Sequence, residues 1–435
     1  MRFGKAGARG GAWRRAACVA SVAGGLLAGG CVTNEQALQE HEKEVAVEPA
    51  QLQQFLADKP EALQPFYEVL MRQGRRNQVL NNMRIGAAAL GLGEYEAAER
   101  AFDEALAGIE TIYADNPQAE QARSVWVREN AKDFKGEPYE RAMAYYYRGL
   151  LYLREGDYQN ARASFKGGQL QDAFAEEDQD RADFALLYYL EGWASHCNGD
   201  AQLAEDAFAE ALKHNAELIL PQSDHGLLLV RESGEGPIKQ AAGDYQEQLT
   251  FAPGAQEEAL LAEFTVGDHT AIAPEAEDLF YQASTRGGRQ VDHILGQKAQ
   301  FKETLDATGD ALSTAGGVSA AAGLMGGNSD AAMVGALLMI AGAVADESAK
   351  AARAEADVRT WDNLPGDVKL ATLPLPAAAG EGRVRLFGRD GAPLEGSERR
   401  FRYAGAEGCA IAWTRSDDPS DIPPRAPGSG GPAEG

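Results

Sequence analysis

The chain has 435 residues with 44% hydrophobic and 25% charged content, enough for two or three folded domains of ordinary globular composition. Its 66 acidic residues outnumber 41 basic ones, a formal net charge of −25. So acidic a body does not bind nucleic acid through general electrostatics, and it is repelled on average by anionic headgroups.

The elements begin with a secretory pattern. Arg2, Lys5, Arg9, Arg14 and Arg15 precede an apolar run, then Leu26-Leu27-Ala28-Gly29-Gly30-Cys31. Positive, then apolar, then small residues against a cysteine describe a signal segment. The pattern resembles the lipobox of bacterial lipoproteins. That resemblance implies removal of residues 1–30, lipidation of Cys31, and, with Val32 next, an outer-membrane location facing the periplasm. Residues 31–60 are polar and read as a tether.

Residues 61–220 read as helical, with apolar residues at three- and four-residue spacing. An internal repeat stands out. Gly93, Gly156 and Gly199 each open a turn, followed at +5, +9 and +12 by Ala98-Phe102-Ala105, Ala161-Phe165-Gly168 and Ala204-Phe208-Ala211. Gly86, Gly149 and Gly192 lie seven residues before those turns. The spacing resembles the tetratricopeptide repeat, a helical hairpin whose stacked copies offer a concave groove. The turn glycines are 63 and 43 residues apart, so an insertion at about 114–139 separates the first two units. Tyr145-Tyr146-Tyr147, Tyr188-Tyr189 and Trp193 lie on the first helices of units two and three. Some of these must be core, but a helix does not bury three consecutive tyrosines on one face, so at least one is expected in the groove; Tyr146, Tyr189 and Trp193 are the candidate partner contacts, with core packing the other role open to each.

Residues 221–310 read as mixed α/β, with strands at 226–231, 259–266 and 279–284, a turn at Arg286-Gly287-Gly288-Arg289, and a helix over 291–310. Residues 311–345 are the most apolar stretch of the mature chain. Asn328-Ser329-Asp330 divides them into halves of 17 and 15 residues, at or below the length that spans a bilayer as a helix. This Gly-rich segment reads as an apolar helical hairpin packed on the protein itself, or else one that enters a membrane or self-associates. A charged helix at 346–362 completes the region 311–362. Residues 363–415 read as a small β module and 416–435 as a disordered tail. The fold class expected is therefore mainly α: helical-hairpin repeats followed by a mixed α/β region.

No motif for catalysis, a cofactor or a metal is present. Asp224-His225, Asp268-His269 and Asp292-His293 offer a second reading, an enzyme or metal site, although neighbours on a strand point to opposite faces. Cys197 and Cys409 could form a disulfide in an oxidising compartment, but they lie far apart in sequence and in different expected domains, and the reading taken is unbridged. Three blocks, at 130–141, 234–239 and 356–365, together resemble an uncharacterised family of bacterial envelope lipoproteins with degenerate repeats. That resemblance implies location and fold and no activity. It adds Lys135, Glu137, Arg141, Lys239, Arg286, Arg289, Arg359 and Trp361 as candidate contacts. The function expected is a non-enzymatic, lipid-anchored scaffold or adaptor. It would bind a protein partner in its repeat groove, bind no nucleic acid, and have the option of self-association.

Overall fold

The computed structural model describes residues 44–114, 133–173, 183–243, 248–257, 259, 261–285, 356–377, 379–388, 390–406 and 408–416. From Val45 onward they belong to one compact unit. The part of the expected tether that is described folds onto the body: α1 (Pro49–Leu56) starts with proline at its first turn, and the Val45 N–H donates to Arg72 O at 2.6 Å. Helix α2 (Gln64–Gln73) leads into three hairpins, α3 (Gln78–Gly91) with α4 (Tyr95–Ala114), α5 (Pro138–Glu155) with α6 (Tyr158–Asp172), and α7 (Ala185–Cys197) with α8 (Ala201–His214).

The repeated glycines explain the hairpins physically. Gly93, Gly156 and Gly199 have φ of 72°, 79° and 81°, the left-handed conformation that stops the first helix of each pair. Gly86, Gly149 and Gly192 lie under aromatic rings. A Cβ at these positions would come within 2.7, 2.3 and 2.6 Å of Phe102, Phe165 and Phe208 respectively. Two helices thus approach until a ring rests on bare backbone. Gly149→Ala is expected to cost about 1–3 kcal/mol through forced displacement of the buried Phe165 ring, measurable as a lower denaturation midpoint with unchanged slope.

The C-terminal half overturns the expectation of a mainly α protein. Strands β1 (His225–Ser233), β4 (Leu261–Val266), β5 (His269–Ala273), β6 (Glu275–Asp278), β7 (Asp367–Pro374), β8 (Ala379–Phe387), β9 (Arg399–Ala406) and β10 (Cys409–Arg415) form one nearly closed mixed sheet, while β2 (Ile238–Ala242) and β3 (Gln248–Ala252) form a separate hairpin. The order is β5-β4-β8-β9-β10-β1-β7-β6, with β1 parallel to β10 and the other pairs antiparallel. The regions expected as a mixed segment and a separate β module therefore share strands of one sheet. Its two outermost strands, β5 and β6, are consecutive in sequence and joined by Pro274, whose carbonyl accepts from the Leu370 N–H at 3.3 Å. The chain itself crosses the seam, and proline fits a kink where no ladder donor is needed.

Strand β1 is the central beam. Leu227 and Leu229 point into the barrel with Phe264, Val384, Phe401 and Tyr403, whereas Leu228 and Val230 join the helical core. Burial on both faces explains why its apolar run is continuous rather than alternating. Two further expectations are corrected. Residues 279–284 are a short helix, α9 (Leu279–Ser284), because the Asp278 carboxylate accepts from the N–H groups of Phe280 and Tyr281 at 2.8 and 3.2 Å. The described end of the expected charged helix, Ala356–Asp362, is not helical; its polar groups are used in contacts with other elements. The turn at Arg286–Arg289, the helix expected over 291–310, the apolar hairpin 311–345, the segment 1–43 with Cys31, and residues 417–435 lie outside the described residues.

Candidate functional site

The three sequence blocks meet at one carboxylate that is not among the candidates drawn from the sequence. Glu140 stands at the third position of α5, where Pro138 opens the helix and Glu137 is the N-cap. The Glu137 N–H donates back to Glu140 Oε2 at 2.7 Å, closing a capping box. From the hairpin β2–β3, Lys239 Nζ reaches the same oxygen at 2.6 Å and donates to Arg359 O at 2.9 Å. From the late block, the Trp361 N–H donates to Glu140 Oε1 at 3.0 Å. Both charged side chains are sealed, with 0% and 1% of the Glu140 and Lys239 side chains exposed. Phe134 lies beneath the cations of Lys239 and Arg359 at 5.1 and 5.3 Å.

The remaining candidates surround this centre. Arg141 is buried and donates to Gln171 Oε1 and Gly136 O, both at 2.7 Å. Lys135 is partly buried, and burial first, Arg141 second, hold its ammonium below the usual lysine range. Arg359 pairs with Asp357 and donates to Asn77 Oδ1 at 2.7 Å. Trp361 is buried against Tyr147 and Phe102, its indole N–H on Asn363 Oδ1 at 2.6 Å. Both Glu140 oxygens are engaged by donors of the chain itself, so this centre clamps three segments together.

A second buried carboxylate explains the tyrosines. Glu232 of β1 accepts from Tyr146 and Tyr147 at 3.0 Å each and from the Trp413 indole at 2.9 Å, with Arg415 at 3.5 Å. Burial raises its pKa against the opposing pull of Arg415, and burial together with the Glu232 charge raises Tyr146 well above the usual phenol range. Tyr189 is buried and donates to Ile219 O at 3.0 Å; Trp193 is buried beside His196. Tyr146, Tyr189 and Trp193, the candidate partner contacts, are therefore corrected to core residues, the other role open to each. α5 is enclosed by its neighbouring hairpins on its flanks and by the sheet in front, so consecutive tyrosines are both buried. Tyr145 alone of the three remains partly exposed, over Gly167 and against Glu110.

Cys197 and Cys409, expected unbridged, form a disulfide with Cα atoms 5.9 Å apart. It ties the end of α7 to the start of β10. His196 beside it contacts His225 O at 2.8 Å, and the His225 ring contacts Thr372 Oγ1 at 2.8 Å. Asp224, Asp268 and His269 are exposed, and Asp292-His293 lie outside the described residues. Among the described residues no group of three His, Cys, Asp or Glu side chains is placed to hold a metal ion. Nor, among them, is any helix long and apolar enough to cross a membrane.

One contact between hairpins titrates near neutrality. Burial and the facing Glu155 raise the Glu99 carboxyl to about 7, with Arg148 opposing. Its unfolded value is about 4.3. The folded pKa is the higher one, so the contribution of this group is full below about 4.3 and is lost as pH rises through about 7. Glu155→Gln is expected to move Glu99 down toward the ordinary range and to flatten the fall of stability between those limits, as followed by carboxyl carbon resonances and denaturation at several pH values.

Comparison with known proteins supplies no further assignment: no family model, no curated protein and no solved structure matches this chain.

Proposed function

We propose that this chain is a non-enzymatic scaffold of a bacterial envelope, held by a lipid at Cys31, with the helices and sheet of its described residues from Val45 onward braced against each other. The observation that carries the reading is the Cys197–Cys409 disulfide. Such bonds form and persist in oxidising compartments, in agreement with the signal pattern before Cys31. The two buried carboxylate centres supply rigidity between helices and sheet, which is what a spacer or docking frame needs. The inner faces of α5 and α7 are covered by the chain's own sheet. A protein partner is therefore sought on the outer helices, where Leu170 and Leu203 are 60% and 45% exposed, rather than in the groove.

The test is made in living cells fed a labelled fatty acid. Label retained in the wild-type protein and absent from Cys31→Ser supports the anchor; an unlabelled wild-type protein rejects it. Photoreactive residues at Leu170 and Leu203 should capture a discrete neighbour, whereas capture from Tyr146 and not from these positions would return the partner to the groove.

A further inference from the structure

The exposed acids crowd the outer helices: Glu96, Asp103, Glu104 and Glu110 on α4, Glu205 and Asp206 on α8. The far side of the barrel is different. Alternation on β8 puts Val384 and Leu386 inward and Glu381, Arg383 and Arg385 outward, and β9 puts Phe401 and Tyr403 inward and Arg400 and Arg402 outward. The register sets Arg383 directly across from Arg400. Like charges opposed on neighbouring strands destabilise a sheet, so this arrangement is not explained by folding. Three carboxylates temper the row, Glu398 at 3.6 Å from Arg383, Glu263 at 2.7 Å from Arg385 and Glu381 at 3.0 Å from Arg402. Arg400 has no carboxylate partner among the described residues. Four cations against three anions leave a positive excess, carried by Arg400, on a chain of net charge −25. Arg400 and Arg402 are exposed whereas Ala404, next on the same side of β9, is buried, so the open part of this face is its arginine-bearing end.

We propose that the outer face of β8 and β9 docks on a bilayer surface rich in anionic phospholipid headgroups. Guanidinium forks on a flat sheet match a layer of phosphates, each basic residue near such a surface gaining about 1 kcal/mol within a Debye length. The acidic helices then point away from the membrane, which resolves the repulsion that the net charge alone predicts. This inference rests on the envelope reading given above, since a tethered body needs an orientation.

The experiment uses the full chain carrying Cys31→Ser, so that no acyl group contributes, in sedimentation with vesicles. At low salt it should bind vesicles containing about one third phosphatidylglycerol and not pure phosphatidylcholine, and should release at high salt. Arg383→Glu with Arg400→Glu and Arg402→Glu should lower the bound fraction at least about tenfold. The milder Arg→Gln triple should lower it several-fold, and Arg75→Glu with Arg100→Glu, exposed on the helical side, should leave it unchanged. Formation of the Cys197–Cys409 bond checks folding of each variant. Equal binding by the sheet variants, no preference for the anionic vesicles, or a salt-sensitive dimer of the free protein that needs the same arginines would each overturn the proposal. Fatty-acid labelling of the wild type decides the anchor separately, so either claim can fail alone.

Discussion

Glu140→Ala is expected to destabilise the protein by about 3–5 kcal/mol, a large fraction of the stability of most domains. The loss comes from what stays behind. Lys239 would remain a cation with 1% of its side chain exposed and no counter-charge, and the N–H groups of Trp361 and Glu137 would lose their acceptor. Each buried unpaired donor costs about 1–3 kcal/mol. Glu140→Gln keeps an acceptor but not the charge, and falls between wild type and alanine. A combined Glu140→Leu and Lys239→Met variant removes both charges at once. It should recover much of the loss, because paired ions in an apolar site contribute little net stability, yet not all of it, because the two N–H groups remain. Urea denaturation of the four proteins reads the series. A double variant no better than Glu140→Ala would mean that the salt bridge is not what makes the position sensitive.

Cys197→Ser with Cys409→Ser is the other large expected effect. The bridge closes a sequence separation of 212 residues. A cross-link over so long a loop removes unfolded-chain entropy worth up to about 5 kcal/mol, and native bridges typically contribute about 2–4 kcal/mol. The bond also joins α7 to β10, so its loss should do more than shift a midpoint. Hydrogen exchange should speed up first at the end of α7 and along β10, while the Glu140 centre at the start of α5 retains protection until global unfolding. Uniform acceleration throughout would show that the bridge is not a local brace. Loss at α3 and α4 alone would place the stress where the structure does not.

What the sequence discloses and what it conceals divide by range. The hairpins are readable because their determinants are local: Gly149 under Phe165, Gly156 in a left-handed turn, both within one pair of helices. The strands at 225–233, 261–266 and 399–406 are readable as alternation or as a buried run, but not as one sheet. β1 pairs with β10 across nearly the whole C-terminal half, and the closure through Pro274 has no periodicity to reveal it. The apolar start Leu279-Phe280-Tyr281 misleads at 279–284, where the single cap on Asp278 decides for helix. Among the candidate residues, Lys135, Glu137, Arg141, Lys239, Arg359 and Trp361 do gather in space, yet around Glu140, whose only sequence signal is the capping box with Glu137. Glu232 gives no signal at all, since a glutamate in an apolar strand acquires its meaning from Tyr146, Tyr147 and Trp413, which other segments supply. The burial of Tyr146 and Tyr189 is illegible for the same reason: nothing in the repeats announces that the chain fills its own groove.

The tie between helices and sheet, and with it the proposed oxidising location, can be checked on a single bond. The protein is purified from cells with free thiols blocked at lysis, digested without reductant, and its cross-linked peptides are identified by mass. A linked pair containing Cys197 and Cys409 is expected. Recovery of both cysteines as blocked free thiols would contradict it.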